Sequence, residues 1–196
     1  SNAAVHRGAH LLAEEASIAY EGARQVLADF LNAELDEVIF TKSATESINA
    51  LAYSFGNSEV DSRFALQPGD RIVVSELEHH ANLIPWQQLA KRTGAELAWF
   101  PIDSDGRLDQ SELDSLINKK TKIVAITHQS NVLGTINPMS EIAAAAHAVG
   151  AVVVLDACQS APNASLSQSA SSPSCRSLSR GKVFPQAAKA ACESAE

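Results

Sequence analysis

The sequence has no run of eighteen apolar residues, so no stretch of it reads as a membrane-spanning helix. Its start lacks a basic stretch followed by an apolar one, so no secretory signal is read in it. Cysteine is scarce. The three present form no CxxC pair, so neither a zinc site nor a disulfide framework is read. A reducing cytoplasm is the simplest compartment. Positive charge is also short, with 15 Lys and Arg against 23 Asp and Glu and a net charge of −8. A nucleic-acid partner would need a basic face, and a membrane partner is not expected either.

What is present is enough for one domain. The chain has 196 residues, 45% of them hydrophobic, ordinary values for a globular protein with a real core. Ser1-Asn2-Ala3 reads as the scar of tag removal and is set aside. Composition breaks near Ser160: nine of the twenty residues from Ser160 to Ser179 are serine. Such a stretch buries too little apolar surface to offset its ordering entropy, and it reads as a flexible tail.

Between these ends, strand and helix patterns alternate. Residues 9–33 read as a long helix with Ala19, Ala23, Val26, Leu27, Phe30 and Leu31 on one stripe. EVIFT (37–41) reads as a short strand, followed by a helix carrying Ile48, Leu51, Ala52 and Phe55. RIVVS (71–75), ELAWFPI (96–102), residues 122–127 and residues 152–155 read as further strands. Helices are expected through Lys91, over 110–118 and over 139–149. Asp109 would cap the second of these with Glu112 at the capping-box position, and Gly150 would end the third. This alternation implies βαβ units, a mainly parallel sheet and an α/β fold of three αβα layers.

The chain is organised around residues 122–159. Asp156 ends an apolar strand, where an open α/β sheet places a ligand-contacting group. Lys42-Ser43-Ala44-Thr45-Glu46 joins a strand to a helix start, a natural anion site. The same residues also read as an ordinary helix cap. His79 and His80 stand beside Glu78 but have no ligand at helical spacing as in HExxH, so a metal is not favoured. On extended backbone one imidazole would face a pocket and the other the structure. Asp103-Ser104-Asp105-Gly106 lacks the later acids of a calcium loop and reads as a turn.

The runs AVHRGAH, EVIFTKSATESIN, SELEHHANLIPWQQLA, THQSNVLGTINP and VVLDACQSAP resemble the class V aminotransferase superfamily, nearest to its cysteine desulfurase and selenocysteine lyase group. The resemblance covers roughly residues 4–162. It implies a pyridoxal 5′-phosphate enzyme of fold type I and a homodimer, with residues 4–162 forming an incomplete cofactor-binding large domain. It implies that Thr45 and the backbone of Ala44 hold the cofactor phosphate, although Ala44 replaces the family's usual threonine. His79 would stack on the pyridine ring as a catalytic group, Asp156 would pair with its nitrogen, and Gln159 would bond its hydroxyl. Asn131 would lie near the substrate carboxylate.

The resemblance also implies a Schiff-base lysine in a Ser-x-His-Lys pattern. Lys182 follows Asp156 by 26 positions, with Ser179 in place but Gly181 where the histidine belongs. Residues 163–196 otherwise depart from the family as an atypical Ser/Ala-rich tail, and a C-terminal small domain is expected to be absent. Cys158, Cys175 and Cys192 do not occupy the nucleophile's position, and Cys158 reads as a small packed residue. The expected activity is conversion of L-cysteine to L-alanine with an enzyme persulfide, feeding iron–sulfur cluster assembly and a sulfur-acceptor protein. This chain would be a truncated, weakly active or inactive form. Selenocysteine lyase chemistry and a non-catalytic cofactor-domain fragment are the alternatives.

Overall fold

A computed structural model describes residues 5, 8, 10–57 and 64–163. Four strands form one sheet: β1 (Arg71–Ser75), β2 (Glu96–Phe100), β3 (Thr121–Thr127) and β4 (Val152–Asp156). Their order is β2-β1-β3-β4, and every pairing is parallel. Five helices accompany them: α1 (Leu11–Leu31), α2 (Ala44–Phe55), α3 (Ile84–Thr93), α4 (Leu113–Leu116) and α5 (Met139–Ala148).

Side chains alternate across the strands, so each face of the sheet builds its own core. Val73, Phe100, Val124, Ile126, Val153 and Leu155 face α4 and α5, where they meet Ile117, Met139, Ile142, Ala143 and Ala146. Ile72, Val74, Ile123, Ala125 and Val154 face α2 and α3, where they meet Ile48, Ala52, Phe55, Trp86 and Leu89. The expected αβα layering is therefore present among the described residues.

The expectations at element ends need correction. EVIFT forms no strand. Leu35–Glu37 is a 3-10 turn, and Val38 continues as extended backbone whose carbonyl accepts from Arg24 Nε at 3.2 Å. No strand among the described residues offers this segment a ladder. The helix expected over 110–118 is a 3-10 turn at Gln110–Glu112 and a short α4. Asp109 does cap it, accepting from Ser111 N–H at 2.9 Å, but the Glu112 carboxylate takes the Ser115 hydroxyl instead of reaching back. β2 stops at Phe100, just before Pro101.

In α1 the buried residues are Ala13, Leu27 and Ala28, and the last two pack on Val38. Val26, expected on the buried stripe, is 62% exposed. The Asp103 turn is as read: its carboxylate accepts from Asp105 and Arg107 N–H, and Gly106 sits at φ 71°.

Candidate active site

The strand β1 leads through α3 to β2 on one face of the sheet. The strand β3 leads through α5 to β4 on the other face. The boundary between β1 and β3 is thus the point where the winding reverses. In open parallel sheets a crevice forms there, outside the carboxyl ends of the strands. Those ends are Ser75, Thr127 and Asp156, all buried.

A cavity of about 180 Å³ lies at this edge, lined by Ala44, Thr45, His79, Asn131, Asp156 and Gln159. All six were singled out in the sequence, from segments scattered over more than a hundred positions. Ala81, Thr127 and Cys158 complete the wall. A second cavity of about 420 Å³ shares His79 and Asn131 with it and is also lined by Glu78 and His80. Lys182 and Ser179 lie outside the described residues.

Each wall has a local cause. Ser43 caps α2 by accepting from Glu46 N–H at 3.2 Å, and Glu46 accepts from Lys42 N–H at 2.6 Å. Ala44 and Thr45 are therefore the first two residues of a 12-residue helix, where backbone N–H groups have no intrahelical acceptor. The cap read from this segment is Ser43, which leaves Thr45 to line the cavity.

His79 caps a 3-10 turn at His80–Asn82, its Nδ1 accepting from Ala81 N–H at 3.1 Å. That bond puts the proton of the neutral imidazole on Nε2. The expectation that His79 and His80 point apart fails. The 3-10 turn sets their rings 5.9 Å apart, and both line the larger cavity.

Asn131 rides on a hairpin loop closed by Ser130 N–H to Thr135 O at 2.9 Å and tied down by Asn137, whose Nδ2 donates to Thr127 O at 2.7 Å. Asp156 Oδ1 accepts from Cys158 N–H at 3.0 Å. Burial pushes the Asp156 carboxyl above its usual range, opposed by that N–H and by His79. Burial also lowers His128. Cys158, expected to be packed, is exposed on the cavity wall instead. Its backbone, turning away after β4, is what meets Asp156. Among the described residues no three His, Cys, Asp or Glu side chains gather as a metal site.

Sequence reasoning missed Glu78 as a functional group. Its carboxylate takes three donors: Ser75 Oγ at 2.5 Å, Asn82 Nδ2 at 2.6 Å and Thr127 N–H at 2.9 Å. Burial nonetheless pushes it up to about 7, helped by the Asp156 charge and opposed by those bonds. The Ser75–Glu78–Asn82 spacing was visible in the chain, but the partner on β3 was not.

The family model for aminotransferase class-V matches residues 1–171. The chain belongs to the class-V aminotransferase family. Relatives in this family include a probable cysteine desulfurase 2 of Mycobacterium leprae, 52% identical over 83% of this chain and 38% of that protein. The cysteine desulfurase of Haloferax volcanii is 49% identical over 82% of this chain and 37% of that one. Among solved structures, the apo cysteine desulfurase of Thermococcus onnurineus NA1 superposes with a TM-score of 0.73 at 41% identity. That match covers 82% of this chain and 38% of the other. The class-V chain therefore has the α/β fold of cysteine desulfurases, and it spans a little under two fifths of its relatives' length. No described helix is long and apolar enough to cross a membrane.

Glu78 also sets a pH dependence. A carboxyl whose folded pKa is about 7 against an ordinary 4.5 binds more protons when folded than when unfolded across that window. Stability from this group therefore falls as pH rises from 4.5 to about 7 and levels off above. The shift corresponds to about 3 kcal/mol. His128, lowered by burial, works in the opposite direction below its ordinary 6.5. Urea titrations of the parent and Glu78→Gln at pH 5 and pH 8 isolate the term. The parent's stability minus that of Glu78→Gln should be smaller at pH 8. An equal difference at both pH values would contradict the assigned shift.

Proposed function

We propose that the cavity at the β1–β3 boundary holds pyridoxal 5′-phosphate, and that the whole protein is a cysteine desulfurase. The observation that carries this is the convergence of Ala44, Thr45, His79, Asn131, Asp156 and Gln159 on one cavity. The donor set fits the group. The α2 N-terminus and the Thr45 hydroxyl suit a phosphate. The His79 imidazole offers a flat face for a ring, held by its bond from Ala81 N–H. Asp156, with one oxygen occupied by Cys158 N–H, keeps its other oxygen for a protonated ring nitrogen. When bound, the cofactor supplies an electron sink for a carbanion next to the substrate nitrogen.

The chain's own residues hold and orient. Asp156 keeps the ring nitrogen protonated, Gln159 bonds the ring hydroxyl, and His79 restricts tilt. Asn131 meets the substrate carboxylate from its hairpin. In this reading Lys182, preceded by Ser179, bonds the cofactor and moves the substrate proton. The substrate is L-cysteine, released as L-alanine, with the sulfur passed to a cysteine thiol as a persulfide and on to an acceptor protein for iron–sulfur clusters. The desulfurase relatives support this choice. The working form in this reading is a homodimer in the cytoplasm.

Incubation with pyridoxal 5′-phosphate, borohydride reduction and peptide mapping test the reading. The expected result is a pyridoxyl group on Lys182 and none on Lys42 or Lys122. Label scattered over surface lysines would remove the cofactor from this cavity.

A further inference from the structure

The last register pair between β1 and β3 is Val73 with Val124. Beyond it the two strands part, and Ser75 and Thr127 end on either side of the crevice. The Glu78 carboxylate fills the opening. Its Oε1 accepts from Ser75 Oγ and Thr127 N–H, and its Oε2 accepts from Asn82 Nδ2. Ser75 and Asn82 are both fully buried. Asn82 is fixed in turn, its Oδ1 accepting from the indole N–H of fully buried Trp86 at 3.0 Å.

Two residues decide what this clamp controls. His79 follows Glu78 directly in the chain and opens the turn that ends at Asn82. Thr127 is the register partner of Asp156 on β4. The carboxylate thus ties the segment carrying the imidazole to the strand beside the aspartate.

We propose that Glu78 is a positioning residue that sets the placement of His79 relative to Asp156 across the crevice, through its bonds to Ser75, Asn82 and Thr127. Its value for a cofactor rests on the pyridoxal phosphate reading; its effect on His79 does not. A bound ring must meet the imidazole on its face and the carboxylate at its edge. An error of about 1 Å in such a placement is enough to degrade a site.

Glutamine at 78 keeps the shape but not the acceptor pattern. Its amide NH₂ would face the Asn82 NH₂, or its oxygen would abandon Ser75 and Thr127. The test uses the full chain with three substitutions: Glu78→Gln, Ser75→Ala and Ile142→Val. Ser75→Ala removes one donor and, read well above pH 7, leaves the Glu78 carboxylate charged. Ile142→Val trims a fully buried side chain in the core on the other face of the sheet, away from the clamp, and serves as a control for lost stability alone.

The first readout is NMR of the chain without cofactor, following the His79 ring and the Thr127 amide proton. Both are expected to move in Glu78→Gln and, by less, in Ser75→Ala, and to stay in Ile142→Val. Parent positions in Glu78→Gln would overturn the proposal. So would a His79 shift in Glu78→Gln with none in Ser75→Ala, since that pattern reads charge and not geometry. The second readout is titration with pyridoxal 5′-phosphate, where Glu78→Gln should raise the dissociation constant at least about ten-fold. Unchanged binding would overturn the positioning role. If the parent itself does not bind, the cofactor reading falls, and the resonances alone decide on Glu78. If Glu78→Gln does not fold, Ser75→Ala against Ile142→Val decides it.

Discussion

Trp86→Ala is expected to leave the chain without a cooperative unfolding transition, or with one shifted to very low denaturant. Trp86 is fully buried in the core between the sheet and α2–α3. Its ring stacks on Phe55 at 6.3 Å, and Phe55 packs on Phe64 at 5.4 Å. Truncating a buried aromatic to alanine costs about 3–5 kcal/mol, because the removed surface and the cavity both count. The Asn82 Oδ1 would also lose its donor, at roughly 1–3 kcal/mol for a buried acceptor. Against a total stability of about 5–15 kcal/mol, that removes most or all of the margin. Trp86→Phe keeps most of the packing but leaves a smaller gap and the same unpaired Asn82 acceptor, so about 2–3 kcal/mol is expected. Urea unfolding of the two variants would show it. A loss below about 2 kcal/mol in Trp86→Ala would mean that this core collapses around the gap far better than its packing suggests.

The strands that the chain spells out most clearly are those buried on both faces. Arg71–Ser75 and Val152–Asp156 are β-branched runs between turn signals, and the structure gives them within a residue of where they were read. EVIFT has the same composition and forms no strand, because a strand is defined by its neighbour and none lies beside it among the described residues. Helix α1 shows a similar limit. Its periodicity was plain, but which face is covered depends on what packs there, and Val38 covers Leu27 and Ala28 while Val26 stays exposed. At the site, Ala44, Thr45, His79, Asn131, Asp156 and Gln159 were legible through motifs. Glu78 was visible only as a carboxylate beside two histidines. Its third donor, Thr127, comes from 49 positions away, and no local pattern announces that contact.

Asp156→Asn is expected to move binding and stability in opposite directions. Asp156 is 5% exposed, and burial disfavours its charged form. Asparagine has the same shape, its oxygen can keep the bond from Cys158 N–H, and it carries no charge to desolvate. The substitution also removes the negative charge that helps raise Glu78. At neutral pH the variant should therefore melt at or above the parent. Binding is a different matter. The amide NH₂ would face the ring nitrogen as a donor, so the ring could no longer be held protonated. Losing one member of a buried, hydrogen-bonded charge pair costs about 2–5 kcal/mol, or roughly 30-fold to several-thousand-fold in affinity. Thermal melts at pH 7.5 and titration with pyridoxal 5′-phosphate measure the two arms. A site kept for function at the expense of stability predicts this pair of signs. A lower melting point with unchanged binding would reverse the assignment: Asp156 would then be a structural acid closing the turn after β4, and the ring nitrogen would need another partner.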